Sequence, residues 1–200
     1  MEQVSYYASA TGFCVIVALW FVFGWTFLLR KKPESTADTK RLSVSWYGLI
    51  LQGAGMGVVW AIRREPFGSP LIDGQYAANI VLQIIGVVIA GASVWLALAA
   101  ISELGRQWSL AARLTVDHKL VKSGVYGLVR HPIYTAMLGM LVGTGIAFSN
   151  WVGILAGVVV FIAGTKIRTI YEERLLAGAF GEEFTEWKAK VPGLIPFVKI

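Results

Sequence analysis

Apolar stretches long enough to approach a bilayer's thickness, four of them free of charge, recur five times in this 200-residue chain. They leave it little choice but a helical bundle in a membrane. In hydrocarbon every backbone N–H and C=O must be satisfied internally, which restricts spanning segments to helices and closed barrels. Continuous apolar runs of about 20 residues, without the alternation of a barrel strand, favour helices. Tyr6–Leu29 is almost uninterrupted apolar and aromatic, Ser43–Ile62 is glycine-rich and free of charge, and Asn79–Ile101 carries Gln83 and Ser93 as modest polar exceptions. Ile133–Phe148 and Trp151–Ile167 form a close pair around Ser149-Asn150, each short for a full crossing. Glycines at 139, 143, 145, 153, 157 and 164 permit close helix approach. The fold expected is an all-α, polytopic membrane protein of about five transmembrane helices ending in a helical hairpin. Residues 1–101 read as a three-helix scaffold and 102–200 as the part that carries chemistry.

Only 15% of the residues are charged, against about 25% in a soluble domain. The net charge of +6 is therefore read through its placement. Segment 30–42 holds five Lys and Arg residues, 102–132 another five and 166–200 six, whereas Arg63 and Arg64 alone fall on the other face. The positive-inside rule then puts the C-terminus in the cytoplasm and the N-terminus outside. Acidic residues divide nine to three, leaving the cytoplasmic face at +7 and the opposite face at −1. The basic balance reports topology, with attraction to anionic headgroups, and gives no case for nucleic acid. The first apolar run lacks a basic leader and is followed by Arg30-Lys31-Lys32, as expected of a retained anchor rather than a cleaved signal. Cys14 is the single cysteine, and His118 and His131 are the two histidines, so no metal site is expected.

Polar side chains gather in two stretches, Glu103–Tyr134 and Arg168–Pro196, which the hairpin returns to one face. The first contains Leu120-Val121-Lys122-Ser123-Gly124-Val125-Tyr126 and then Arg130-His131-Pro132-Ile133-Tyr134. Pro132 suits the first turn of a helix, which leaves Arg130 and His131 beside the free N–H groups of its mouth. Such a mouth can hold a carboxylate; equally, Arg130 can snorkel to headgroups with His131 an interfacial polar residue. In the second stretch, a helix continuing past the membrane sets Arg168 and Glu172 on one face, four residues apart, and Glu172 and Glu173 on different faces. Gly181 ends or turns that helix. The plainer reading is an amphipathic tail held at the surface by Phe184, Trp187 and lysines. No glycine-rich dinucleotide loop or phosphate loop is present.

These residues, in this order around a transmembrane hairpin, resemble the isoprenylcysteine carboxyl methyltransferase family and, more broadly, membrane methyltransferases that include phospholipid N-methylating enzymes. The resemblance runs from about Leu104 to Pro196. It is carried by Leu120-Val121, Gly124, Tyr126, Arg130-His131-Pro132, Tyr134, Glu172-Glu173, Leu176 and Phe180-Gly181. It implies a cytoplasmic pocket for S-adenosylmethionine and methyl transfer to a lipidic or hydrophobic acceptor at the membrane interface, such as an isoprenylcysteine carboxylate. A phospholipid or small amine, or a thiol, is the alternative acceptor, and a lipid-binding or transport protein the alternative class. Lys122, Gly124, Tyr126, His131, Pro132, Tyr134, Glu172 and Glu173 are the cofactor-binding candidates it implies, and Arg130, Arg168 and Glu172 the catalytic ones. The location expected is the inner or cell membrane of a bacterium or archaeon. Val125, Ala136, Phe184, Trp187 and Gly193 depart from the family pattern, where proline, glycine, two tyrosines and arginine are common.

Overall fold

In a computed structural model of the chain, residues 1–28, 42–64, 68–108, 119–196 and 198 are described. They form a multi-pass, all-helical membrane protein. Its helices are α1 (Glu2–Leu28), α2 (Leu42–Ala61), α3 (Tyr76–Leu104), α4 (Pro132–Phe148), α5 (Trp151–Phe180) and α6 (Glu182–Lys190). Short 3₁₀ turns lie at Gly105–Gln107 and Gly124–Gly127. Among the described residues three helices, Glu2–Phe27, Tyr76–Leu104 and Trp151–Phe180, are long and apolar enough to cross a membrane, and Pro132–Phe148 is a shorter apolar helix. The basic cluster of 30–41, together with Arg113 and His118, lies outside the described residues.

α3 and α5 extend beyond the apolar runs that mark them in the sequence. The run ending at Ile167 continues as helix to Phe180, because Arg168 and the residues after it keep helical backbone once past the apolar zone. At 30 residues, α5 is about 45 Å long, some 15 Å more than a hydrocarbon core requires. It stops at Gly181, whose φ of +52° is open to glycine but strained for other residues, and α6 starts there.

Packing follows the inverted logic of a membrane bundle, with bulky residues outward and small or polar ones inward. Phe21, Val152, Leu155 and Val159 are exposed, whereas Ser5, Ser9, Gln52, Asn79, Gln83, Ala90 and Thr165 are buried. α2 lies along α5 and α3 along α4, each pair antiparallel, and α1 packs on α3. Glycines set both antiparallel contacts. A Cβ on Gly164 would lie 2.6 Å from the Gly48 carbonyl oxygen, and one on Gly157 would lie 2.9 Å from that of Gly55. Gly86 and Gly143 face each other in the same way across α3 and α4, at 2.8 Å and 2.6 Å. Polar side chains then lock the register. Asn79 Nδ2 donates to Ser5 Oγ (2.9 Å) and Ser9 Oγ (3.1 Å), Gln52 Nε2 to Thr165 Oγ1 (2.9 Å), and Trp20 Nε1 to Thr144 Oγ1 (3.0 Å).

A cluster joining the two polar stretches

The N-terminus of α4 is where the distant polar stretches meet. Pro132 occupies its first turn and His131 is the N-cap residue. The segment just before the helix is stitched to the chain after α6. The Arg130 N–H donates to the Pro192 carbonyl (2.8 Å), the His131 N–H to the Gly193 carbonyl (3.0 Å), and Thr135 Oγ1 to the Leu194 carbonyl (2.6 Å). The prolines at 192 and 196 break helical continuation, so this strap lies across the α4 mouth.

His131, 7% exposed, stands between the two glutamates of α5. Its Nε2 is 3.1 Å from Glu173 Oε1 and its Nδ1 3.6 Å from Glu172 Oε2. Consecutive helical residues point about 100° apart. The sequence separates these carboxylates onto different faces, and the imidazole reaches both because its two nitrogens diverge. Burial opposes a charge on His131. Contacts with Glu172 and then Glu173 outweigh it, and its pKa is held above 6.5.

Each glutamate has its own set of partners. Glu172 accepts from the Tyr134 hydroxyl and lies 3.7 Å from Arg168 Nη2. Tyr134 stacks on the His131 ring at 5.7 Å, and the Arg168 guanidinium sits 5.1 Å over the Tyr134 ring. Gln52 of α2 accepts from Arg168 Nη1 at 3.3 Å. Glu173 takes Arg130 Nε at 3.0 Å, Arg130 Nη2 at 2.9 Å and Lys188 Nζ at 2.6 Å. Arg130 Nη1 donates to the carbonyls of Lys188 (3.1 Å) and Val191. Arg130 is thus committed to Glu173 and the strap, and Arg168 to Glu172 and α2.

The remaining candidates form a wall beside this cluster. Tyr126 is buried with Ala100, Val125, Phe184 and Trp187. Burial, then the charges of Glu172 and Glu103, raise its hydroxyl pKa well above 10, so it stays protonated. Gly124, at φ +54°, lets the loop turn against the Glu103 carboxylate, which accepts from Ser123 Oγ at 3.0 Å. Lys122 stands apart from the His131 cluster and pairs with Glu183 at 2.6 Å, both half-exposed. Trp187 Nε1 is buried without a hydrogen-bond partner. Among the described residues no group of three His, Cys, Asp or Glu side chains has metal-holding geometry.

Glu103, Gln52 and Lys188 are the members that motif reading does not single out. Gln52 had a signal, as the one amide in the charge-free second span. Lys188 had none, since its approach to Glu173 depends on the turn at Gly181.

Comparison with known proteins bears directly on this cluster. A sequence model of the phospholipid methyltransferase family matches residues 81–183, just over half of the chain. The chain belongs to that family. The matched stretch contains Arg130, His131, Tyr134, Arg168, Glu172 and Glu173 and ends before the strap. The chain is 37% identical over 101 residues to protein-S-isoprenylcysteine O-methyltransferase B of Arabidopsis thaliana, covering 50% of this chain and 51% of that protein. It is 31% identical over 102 residues to the Schizosaccharomyces pombe protein-S-isoprenylcysteine O-methyltransferase, covering 50% and 43%. The human protein-S-isoprenylcysteine O-methyltransferase is 37% identical over 82 residues, covering 41% and 29%. The chain spans about half the length, or less, of the curated relatives it matches.

Proposed function

We propose that this protein is an S-adenosylmethionine-dependent methyltransferase acting on a hydrophobic or lipidic acceptor at the cytoplasmic membrane interface. The observation that carries the reading is the convergence of Arg130-His131-Tyr134 with Arg168-Glu172-Glu173, all inside the family-matched stretch. On this reading α1 to α3 are scaffold and residues 102–200 the methyltransferase core. The two parts share helix interfaces, so the division at 101/102 separates roles rather than folding units. The five apolar runs support five membrane crossings, and the charge asymmetry supports a cytoplasmic side for the cluster.

The donor set fits the cofactor class. S-adenosylmethionine has a zwitterionic amino-acid head, an adenosine and a sulfonium. Two carboxylates interleaved with His131, Arg130, Arg168 and Lys188 can exchange internal pairs for an ammonium and a carboxylate. The buried Trp187 indole N–H lacks an acceptor in the adjoining wall, and Tyr126 and Phe184 give that wall the apolar surface an adenosine needs. The bound cofactor supplies an activated methyl group. The chain's contribution is alignment and exclusion of water. Glu172 offers negative charge to the ammonium or sulfonium, Arg168 offers a guanidinium to a carboxylate, and Tyr134 holds Glu172 between them. Arg130 acts through Glu173 and the strap, as a clamp on the α4 mouth.

A carboxylate acceptor is ionised at neutral pH and needs no base, in keeping with relatives named as isoprenylcysteine O-methyltransferases. The family description instead names phospholipids, and an amine acceptor requires its neutral form. His131 paired to two carboxylates is poorly disposed to take that proton, which favours the carboxylate.

Calorimetric titration of S-adenosylmethionine into the purified protein in lipid nanodiscs tests the cofactor claim. Saturable binding by the wild type is expected. In a folded Glu172→Gln variant, loss of a charge-assisted contact worth about 1.5–3 kcal/mol weakens binding tenfold or more. Folded wild-type protein that does not bind sinks the reading.

A further inference from the structure

A second place in the molecule combines a cavity, fixed cations and buried polar atoms without partners, and the methyltransferase reading leaves it unused. It lies at the other end of the bundle, where α1 begins and α2 and α4 end. α4 has 17 residues, which puts this end about 25 Å along the helix from His131. The cavity has a volume of about 400 Å³ and is lined by Ser9, Phe13, Trp60, Phe148, Arg63 and Arg64, among others. That volume lies within the range of about 300–1,000 Å³ of small-molecule sites.

Its wall combines three aromatic rings with two arginines. Trp60 and Phe148 meet at 4.6 Å between ring centroids, Phe13 and Phe148 at 5.8 Å, and Phe13 and Trp60 at 6.4 Å. Arg64 is anchored on the C-terminal end of α4. Its backbone N–H donates to the Phe148 carbonyl (3.0 Å), and its Nη2 donates to the carbonyls of Ile146 (3.4 Å) and Ala147. Capping of α4 accounts for Nη2. It leaves Nη1 buried with no hydrogen-bond partner. Burial lowers the Arg64 pKa to about 10, the response of a cation short of compensation. Asn79 and Gln83, 1% and 2% exposed, bond to Ser9 on the cavity wall, and Asn79 Oδ1 and Gln83 Oε1 are likewise without partners. A buried guanidinium N–H without an acceptor is costly, and an anion reaching Nη1 removes that cost.

We propose that this cavity binds the headgroup of an anionic phospholipid. Arg64 Nη1 donates to a phosphate oxygen, and the Phe13–Trp60–Phe148 wall receives the glycerol and first acyl carbons. The aromatic wall argues for a lipid over a free anion, because phosphate alone leaves that surface unused. The buried charge of Arg64 argues for a headgroup without a positive charge of its own.

The test uses the detergent-purified full chain with three probes: dioctanoyl phosphatidylglycerol, dioctanoyl phosphatidylcholine and inorganic phosphate. Thermal shift gives half-saturation, and hydrogen exchange locates binding. The phosphatidylglycerol is expected to bind about tenfold more tightly than the phosphatidylcholine, whose quaternary ammonium sets a second positive charge beside Arg64. It should protect residues 60–64 and 145–150 but not 124–134. Arg64→Gln should lose that preference. Should Arg64→Gln fail to fold, Phe13→Ala should weaken phosphatidylglycerol binding, and the wild-type exchange map stands independently. Equal affinity for both lipids, inorganic phosphate matching the lipid in affinity and protection, or protection confined to other segments would each overturn the proposal.

Discussion

Glu173 faces three cationic partners while its neighbour Glu172 faces a tyrosine and an arginine, and both share His131. The two glutamates should therefore fail differently. Glu173→Gln strands Arg130 beside the strap, and breaking such a buried pair costs about 3–5 kcal/mol. A lower unfolding midpoint and faster hydrogen exchange at residues 191–194 are expected. Glu172→Gln should lose cofactor affinity with a smaller change in stability, and a thermal melt run beside a binding titration separates the two. His131 adds a pH dependence whose sign is fixed. Its folded-state pKa is raised above the unfolded 6.5, so its contribution is complete below about pH 6.5 and fades as pH rises through the folded value. A His131→Asn variant should lack that part of the stability profile, and an identical profile in the two proteins would refute the assignment. Arg130-His131-Pro132 and Glu172-Glu173 were legible as chemistry because charged residues flanking apolar helices need partners. The partners themselves were not. Both carboxylates converge on one imidazole through ring geometry that residue spacing does not encode.

At the scale of elements, glycines seven residues apart decide which helices touch. Gly48 and Gly55 on α2 meet Gly164 and Gly157 on α5, carbonyl against Cα. Gly164→Ala should therefore destabilise the bundle by about 1–3 kcal/mol, the range for overpacking. Gly53→Ala in the same helix pair should not, since a Cβ there meets nothing within 4 Å, and alanine is the better helix former. Thermal unfolding of the two variants in one detergent decides this, and equal losses would contradict the packing account. The six hairpin glycines announced close approach in the sequence, but which helix each one faces depends on the tertiary fold. The continuation of α5 past its apolar run was legible in the Arg168–Glu172 spacing and in Gly181 as its stop. Apolarity ends near Ile167 while helical backbone, held by Arg168 to α2 and by the His131 cluster, continues to Phe180.

For the whole molecule, a charged end bearing the His131 cluster lies opposite an end bearing the Arg63 and Arg64 cavity. With Cys14→Ala removing the native thiol, Lys190→Cys should label with a membrane-impermeant maleimide only after the cell membrane is permeabilised. Asp73→Cys should label in intact cells, and the reverse pattern would invert the topology. The bundle was legible from hydropathy and charge, since a bilayer permits so few solutions. The strap of residues 192–194 over α4 was not, because backbone hydrogen bonds carry it and side-chain identity barely marks it. The central claim is methyl transfer from S-adenosylmethionine to a hydrophobic acceptor, by the side chains gathered at His131. Its most direct test is incubation of nanodisc-embedded protein with methyl-labelled S-adenosylmethionine and, separately, a prenylcysteine and a phospholipid amine, followed by identification of the labelled bond. The account predicts label on the prenylcysteine as a base-labile ester, lost in folded Glu172→Gln. Folded wild-type protein that labels neither acceptor, or a Glu172→Gln variant that labels as fast as wild type, would contradict it.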